Sequence, residues 1–289
     1  MISIARHIDE YDIAQEVRLE RKVHKGSFLL LEGDTDIKRF NPFVDDDACS
    51  IVNCYGKRKA IEAIKILYDE GFDGAVAVID ADFDRITGNL LVHEGLIYST
   101  SHDLDLDWAT STVIDKYLFQ VGDITKLRHH GSTDDLVTKI LVGLGPVSIA
   151  RLLNHLNHIR YKLSGIDVSQ CFRSFSTDID GYIDLIFKER SATQPEKNAL
   201  RQQITRAAAQ HTHDLHQLTN GHDFHCALGA SLRRELGSRR DVHTYGSEVE
   251  MHLRLTFGDN DFKASQVYEN IAAWVRENTP YKILHSRLA

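Results

Sequence analysis

Two unbroken apolar runs, each closed by an acidic turn, constrain this chain more than any other feature. Ser27-Phe28-Leu29-Leu30-Leu31 leads into Glu32-Gly33-Asp34, and Gly74-Ala75-Val76-Ala77-Val78-Ile79 leads into Asp80-Ala81-Asp82-Phe83-Asp84. A half-solvated strand alternates polar and apolar residues, whereas a continuous run is what a parallel sheet covered on both faces demands. Open parallel sheets bind ligands beyond the carboxyl ends of their strands. A glutamate beyond one strand and an Asp-x-Asp beyond another therefore set three carboxylates, Glu32, Asp80 and Asp82, at one rim. Such an all-oxygen set suits magnesium, or manganese in its place.

The rest of the stretch from 27 to 122 alternates strand and helix in the same way. The pattern predicts a short helix from 34 or 35 to 40, a second strand over 49–55 and a fourth over 96–100. Between the second and third strands, Ala60, Ile61, Ile64, Leu67 and Tyr68 form the apolar stripe of a helix that follows Gly56 and stops near Gly71. Residues 1–26 read as a lead-in with a short helix. From 123 to 289 the strand signal largely vanishes. Ile149, Leu152, Leu153, Leu156, Ile159 and Leu163 recur at helical spacing, and further helices are expected near 180–190, 195–218, 222–236 and Trp274. The segment 249–255 fits an edge strand or a helix equally. The expected fold class is α/β, with a mostly parallel four-stranded Rossmann-like sheet and a mainly helical C-terminal domain.

A net charge of −8 argues against a protein that coats nucleic acid through bulk electrostatics, though not against a nuclease with clustered carboxylates. Four cysteines without a Cys-x-x-Cys pair fit reduced thiols in the cytoplasm. The start carries no signal-peptide pattern and no apolar run approaches a membrane span, so no membrane association is expected. Neither a nucleophile elbow nor a phosphate-binding Gly-x-x-x-x-Gly-Lys-Ser/Thr loop is present, so any ATPase activity belongs to another chain.

Other residues invite roles with bland alternatives beside them. Asp36 and Asp84 could serve a second metal or act as first-turn helix acids. Asp103 and Asp105 follow the fourth strand and could support the ligands from behind or simply start a helix. Lys57 stands where a strand meets a helix and could balance charge on a phosphate. His211, His213, His216, His222, His225 and Cys226 match no common zinc-finger spacing. His222 and Asp223 read as a helix start, with Asp223 orienting the imidazole, or as part of a substrate-facing surface. Arg151, His155, His158 and Lys162 fall on one helical face, a solvated stripe or a phosphate track, and Arg233, Arg234, Arg239 and Arg240 offer a second.

With those pieces placed, the chain resembles the TOPRIM superfamily, whose hallmarks are a glutamate after the first strand and an Asp-x-Asp after the third. Glu32 matches the former, and Asp80 and Asp82 the latter. Leu31-Glu32-Gly33-x-x-Asp36, with Gly56-Lys57 after the second strand, is similar to the branch of overcoming-lysogenization-defect nucleases. Asn220-Gly221-His222-Asp223-Phe224 looks like a motif of single-chain TOPRIM proteins that include the effector subunit of PARIS, the phage anti-restriction-induced system. The resemblance implies a magnesium-dependent nuclease, a toxin-like antiphage effector cleaving transfer RNA under control of an ABC-type ATPase partner, with a homodimer as the expected active form. A DNA nuclease of the overcoming-lysogenization-defect kind is the alternative within enzymes. A non-catalytic TOPRIM subunit that binds nucleic acid or a partner is the alternative outside them.

Overall fold

The computed structural model describes residues 7–189, 192–237 and 245–288. The chain divides into two compact units: Met1–Ala81, Leu90–Thr100 and Gly258–Ala289 form one, and Asp82–Asn89 with Ser101–Phe257 form the other.

The first unit holds a four-stranded sheet, parallel throughout. Its strands are β1 (Ser27–Leu31), β2 (Cys49–Asn53), β3 (Ala75–Ile79) and β4 (Leu96–Tyr98), in the order β2-β1-β3-β4. Every residue of β1, β3 and β4 is buried, which is why these strands carry no polar alternation. The helices Glu10–Glu20 and Lys57–Asp69 cover the sheet with Ile13, Ala14, Val17, Ala60, Ala63, Ile64 and Leu67. Full burial of one Leu- or Ile-sized side chain stabilises by about 1.5–3 kcal/mol, so this layer is a major share of the unit's stability. β1 and β3 are neighbours at the centre, in a register that sets Leu31 against Val78 and so brings their two acidic ends level.

The expected helix at 34–40 is Asp34–Phe40, and the expected strands lie within one or two residues of their predicted ends. The grouping differs from the linear division at 122, because the chain returns to the sheet unit after Phe257. There Phe262 stacks on Phe43 at 4.3 Å, Trp274 Nε1 reaches the Tyr68 hydroxyl at 3.5 Å, and His285 N–H donates to the Phe43 carbonyl at 3.0 Å. These are contacts across two hundred residues, to which local periodicity is blind.

The second unit is mainly helical. Its longest helix, Thr133–His155, and the helix Gly221–Arg234 are both largely buried. Around them lie Ile179–Ile186, Gln194–Gln210 and Gly246–Thr256. The ambiguous segment is thus a helix, with Val249 and Leu253 turned inward one turn apart. The helical stripe expected to continue to Leu163 ends at His155 instead. Asn157 adopts φ +58°, and His158 N–H turns back to the Leu153 carbonyl at 2.9 Å. Ile159 and Leu163 remain buried without being helical, so their spacing reported burial rather than helix. Against the expectation that no apolar run approaches a membrane span, Thr133–His155 is, among the described residues, long and apolar enough to cross a membrane by length and composition; 67% of its apolar window is buried inside the protein.

Candidate active site

In the sheet unit, the loops that follow β1, β2 and β3 are tied to one another. Gly56 N–H donates to the Glu32 carbonyl at 2.7 Å, joining the loops after β1 and β2. Asp80 N–H donates to Glu32 Oε1 at 2.8 Å, joining those after β1 and β3. Lys57 Nζ donates to the Ala81 carbonyl at 3.2 Å, joining those after β2 and β3. Gly56 has φ +125°, which a side chain would strain, and that turn aims Lys57 at the Asp80 loop. Glu32, Asp80 and Lys57, three candidates from three separate motifs, are therefore brought together. Glu32 and Asp80 are half-buried, and both stand at the carboxyl end of buried strands.

Asp82, two residues along the chain from Asp80, belongs to the helical unit. It adopts φ +50°, a left-handed conformation that Asp tolerates better than most residues. Its N–H donates to the His102 carbonyl at 2.6 Å, and its carboxylate lies 4.0 Å from His102 Nε2. His102 is 3% exposed, and its Nδ1 stands 3.2 Å from the Gln217 carbonyl. A carbonyl only accepts, so a hydrogen bond there takes its proton from Nδ1. His102 is not among the residues expected at the site; its position directly after the fourth strand is the signal the sequence offers.

The remaining candidates are sorted by what already holds them. Asp36 is 8% exposed and pairs through Oδ1 with Arg39 Nη1 at 2.8 Å. Asp84 opens the short helix Asp84–Thr87. Asp103 accepts Leu106 N–H at 2.8 Å on one oxygen and Gly221 N–H at 2.7 Å on the other, as the N-cap of Leu104–Trp108. The approach is so close that a Cβ on Gly221 would meet Asp105 Cβ at 2.4 Å. Asp105 stands instead with His225 and Glu250, their ligand atoms all within 4.8 Å of one another. Of the histidine-rich stretch, then, only His225 joins a set of metal-ligand type among the described residues, and its companions are acids from other helices.

Asp223 does not orient His222. It is fully buried and held bidentately by Arg151 through Nε and through Nη2 at 2.7 Å. Burial opposes the charge of Arg151, but the Asp223 carboxylate outweighs it and raises the guanidinium's pKa. His222 is exposed, with Nε2 3.7 Å from the Cys226 sulfur. Burial pushes the Cys226 thiol up to about 12, far from a reactive thiolate.

The proposed stripe from Arg151 to Lys162 is not one helix face: Arg151 and His155 are helical, while His158 and Lys162 lie beyond the helix end. Arg151, His155 and Lys162 nevertheless line a single cleft of about 460 Å³ together with Asp82 and His102. In the second arginine set, Arg234 donates to the Ser169 carbonyl at 3.2 Å, Arg233 lies 6.0 Å from the centre of the Tyr245 ring, and Arg239 and Arg240 lie outside the described residues. No protein-family model matches this chain, and no curated protein matches it.

Proposed function

We propose that this chain is a magnesium-dependent phosphodiesterase of the TOPRIM type. Glu32 and Asp80 hold the metal, and Asp82 supplies the third carboxylate from its place two residues along the chain. The observation that most supports this reading is the bond from Asp80 N–H to Glu32 Oε1, which fixes the glutamate side chain at the Asp80 turn. The donors there are hard carboxylate oxygens, which fit magnesium or manganese better than a thiophilic metal. When bound, such an ion offsets charge on the phosphodiester and lowers the pKa of an attacking water. Lys57, carried to the same turn, offers a positive charge to the phosphate oxygens. Asp36 and Asp84 remain candidates for a second ion, Asp36 with its Oδ1 engaged by Arg39.

The resemblance to the PARIS effector subunit directs the biology: RNA cleavage, with transfer RNA as substrate, released by an ABC-type ATPase partner. The test is incubation of the purified protein, alone and with such a partner, with total transfer RNA and with plasmid DNA, in magnesium and in EDTA. The expected result is magnesium-dependent RNA cutting that falls by about 10³-fold or more in Glu32→Ala. Cutting of DNA alone would move the reading to the overcoming-lysogenization-defect type. Silence on both substrates with the partner present would remove the enzymatic reading.

A further inference from the structure

The cleft beside Asp82 is unlike the surface of a chain whose net charge is −8. Its lining holds the Asp82 carboxylate, the imidazoles His102 and His155, Arg151, whose charge is already met by the buried Asp223, and Lys162. Of the aromatic rings there, Phe83 is buried in a core cluster and backs the cleft, while Tyr161 and the His155 imidazole reach its surface. Phe83 meets His102 edge-on at 4.6 Å and lies 5.2 Å from His155, whose ring is otherwise exposed. Tyr161, also in the lining, meets Phe187 edge-on at 5.2 Å, and its backbone N–H donates to Asn154 Oδ1 at 2.9 Å. Lys162 is 76% exposed, with Glu189 3.6 Å away. A volume of about 460 Å³ lies within the range of about 300–1,000 Å³ typical of small-ligand sites. A second cleft, of about 490 Å³, shares Tyr161, Lys162 and Ser164 with the first and adds Arg160 and Lys188 beside Asp167 and Glu189.

Rings for stacking, amides for base edges and cations for phosphate are the elements by which proteins seat nucleotides without a duplex. We propose that the first cleft holds one unstacked nucleotide of a single-stranded segment, and that the adjoining cleft takes its neighbour. This inference rests on the phosphodiesterase reading and gives it a substrate class: a strand or loop whose bases are already unpaired. A base inside a duplex reaches such a cleft only by being flipped out.

Binding is measured on the full chain in EDTA, by fluorescence of 2-aminopurine placed within a short single-stranded RNA or DNA oligonucleotide. The same sequence as a duplex and free nucleoside monophosphates serve as competitors. The single strand should bind at least about tenfold more tightly than either competitor. The double variant His155→Ala/Lys162→Glu changes two exposed side chains and leaves the core untouched. It should weaken strand binding about tenfold or more and flatten its salt dependence. Tyr161→Ala should remove the 2-aminopurine quenching. Duplex or free nucleotide binding as tight as the strand would overturn the proposal, as would unchanged strand affinity in the double variant. The two readings fail separately. Strand binding with these signatures but no magnesium-dependent cleavage removes the phosphodiesterase and keeps the cleft. Cleavage with an unchanged KM in the double variant removes the cleft and keeps the phosphodiesterase.

Discussion

Acidic residues at element ends meet opposite fates in the two units. In the sheet unit, Glu32 and Asp80 are half-buried at the ends of adjacent strands, and one lends an oxygen to the backbone of the other. In the helical unit, Asp103 and Asp223 are 5% and 0% exposed, and both oxygens of each are engaged, by two backbone amides in one case and by a guanidinium in the other. All four are carboxylates; what differs is burial, nearly complete for the interior pair and partial for the rim pair. Interior acids of the second kind serve structure, while rim acids of the first kind keep the exposed surface that the proposed metal site requires.

The contrast is most easily broken by measuring stability beside activity. Arg151→Ala leaves the Asp223 carboxylate buried and uncompensated, for which the expected loss is about 3–5 kcal/mol. Replacing both partners with apolar residues of similar volume should recover much of that loss. Glu32→Ala removes, among the rim contacts, the bond to the Asp80 amide, and should cost less than the Arg151 change, about 1 kcal/mol for that bond. Urea unfolding of the three variants beside the wild type decides the matter. A Glu32→Ala loss as large as that of Arg151→Ala would make the rim acids structural too.

The sheet and its acidic turns were legible because a buried parallel strand shows its identity in five consecutive residues. The runs at 27–31 and 75–79 needed no distant partner to be read. The helical unit was less legible, because its sites are assembled from separate elements. Nothing near Asp223 in sequence announces that Arg151, seventy-two residues earlier, pairs with it. His225 likewise sits among histidines in the sequence but beside Asp105 and Glu250 in space. The stripe from Ile149 to Leu163 misled for a related reason: burial of Ile159 and Leu163 mimics helical periodicity after the helix has stopped.

Metal titration sharpens the comparison from the other side. An ion that binds the folded rim and not the unfolded chain stabilises by about 2.7 kcal/mol at a concentration one hundred times its Kd. Thermal melts in increasing magnesium should therefore rise for the wild type and stay flat for a folded Glu32→Ala or Asp80→Asn chain. Equal shifts in wild type and variants would place the magnesium somewhere other than this rim, whatever the activity assays show.

The smallest expected effect concerns Asn220, which joins the resemblance-bearing motif to plain helix physics. Its Oδ1 accepts His222 N–H at 3.0 Å and Asp223 N–H at 3.4 Å, capping Gly221–Arg234. Asn220 also lines the cleft beside Asp82, so the motif has a structural and a surface-facing candidate role at one position. Loss of the cap in Asn220→Ala should cost about 1 kcal/mol. Asn220→Asp keeps an accepting oxygen at the N-cap, adds negative charge where a helix start favours it, and should hold stability near wild type. The same Asp places a second carboxylate on the cleft, so strand binding should weaken even though the fold does not. If Asn220→Asp binds strand as the wild type does, the side chain serves the helix alone, and this motif belongs with Asp103 and Asp223 among the residues the fold consumes.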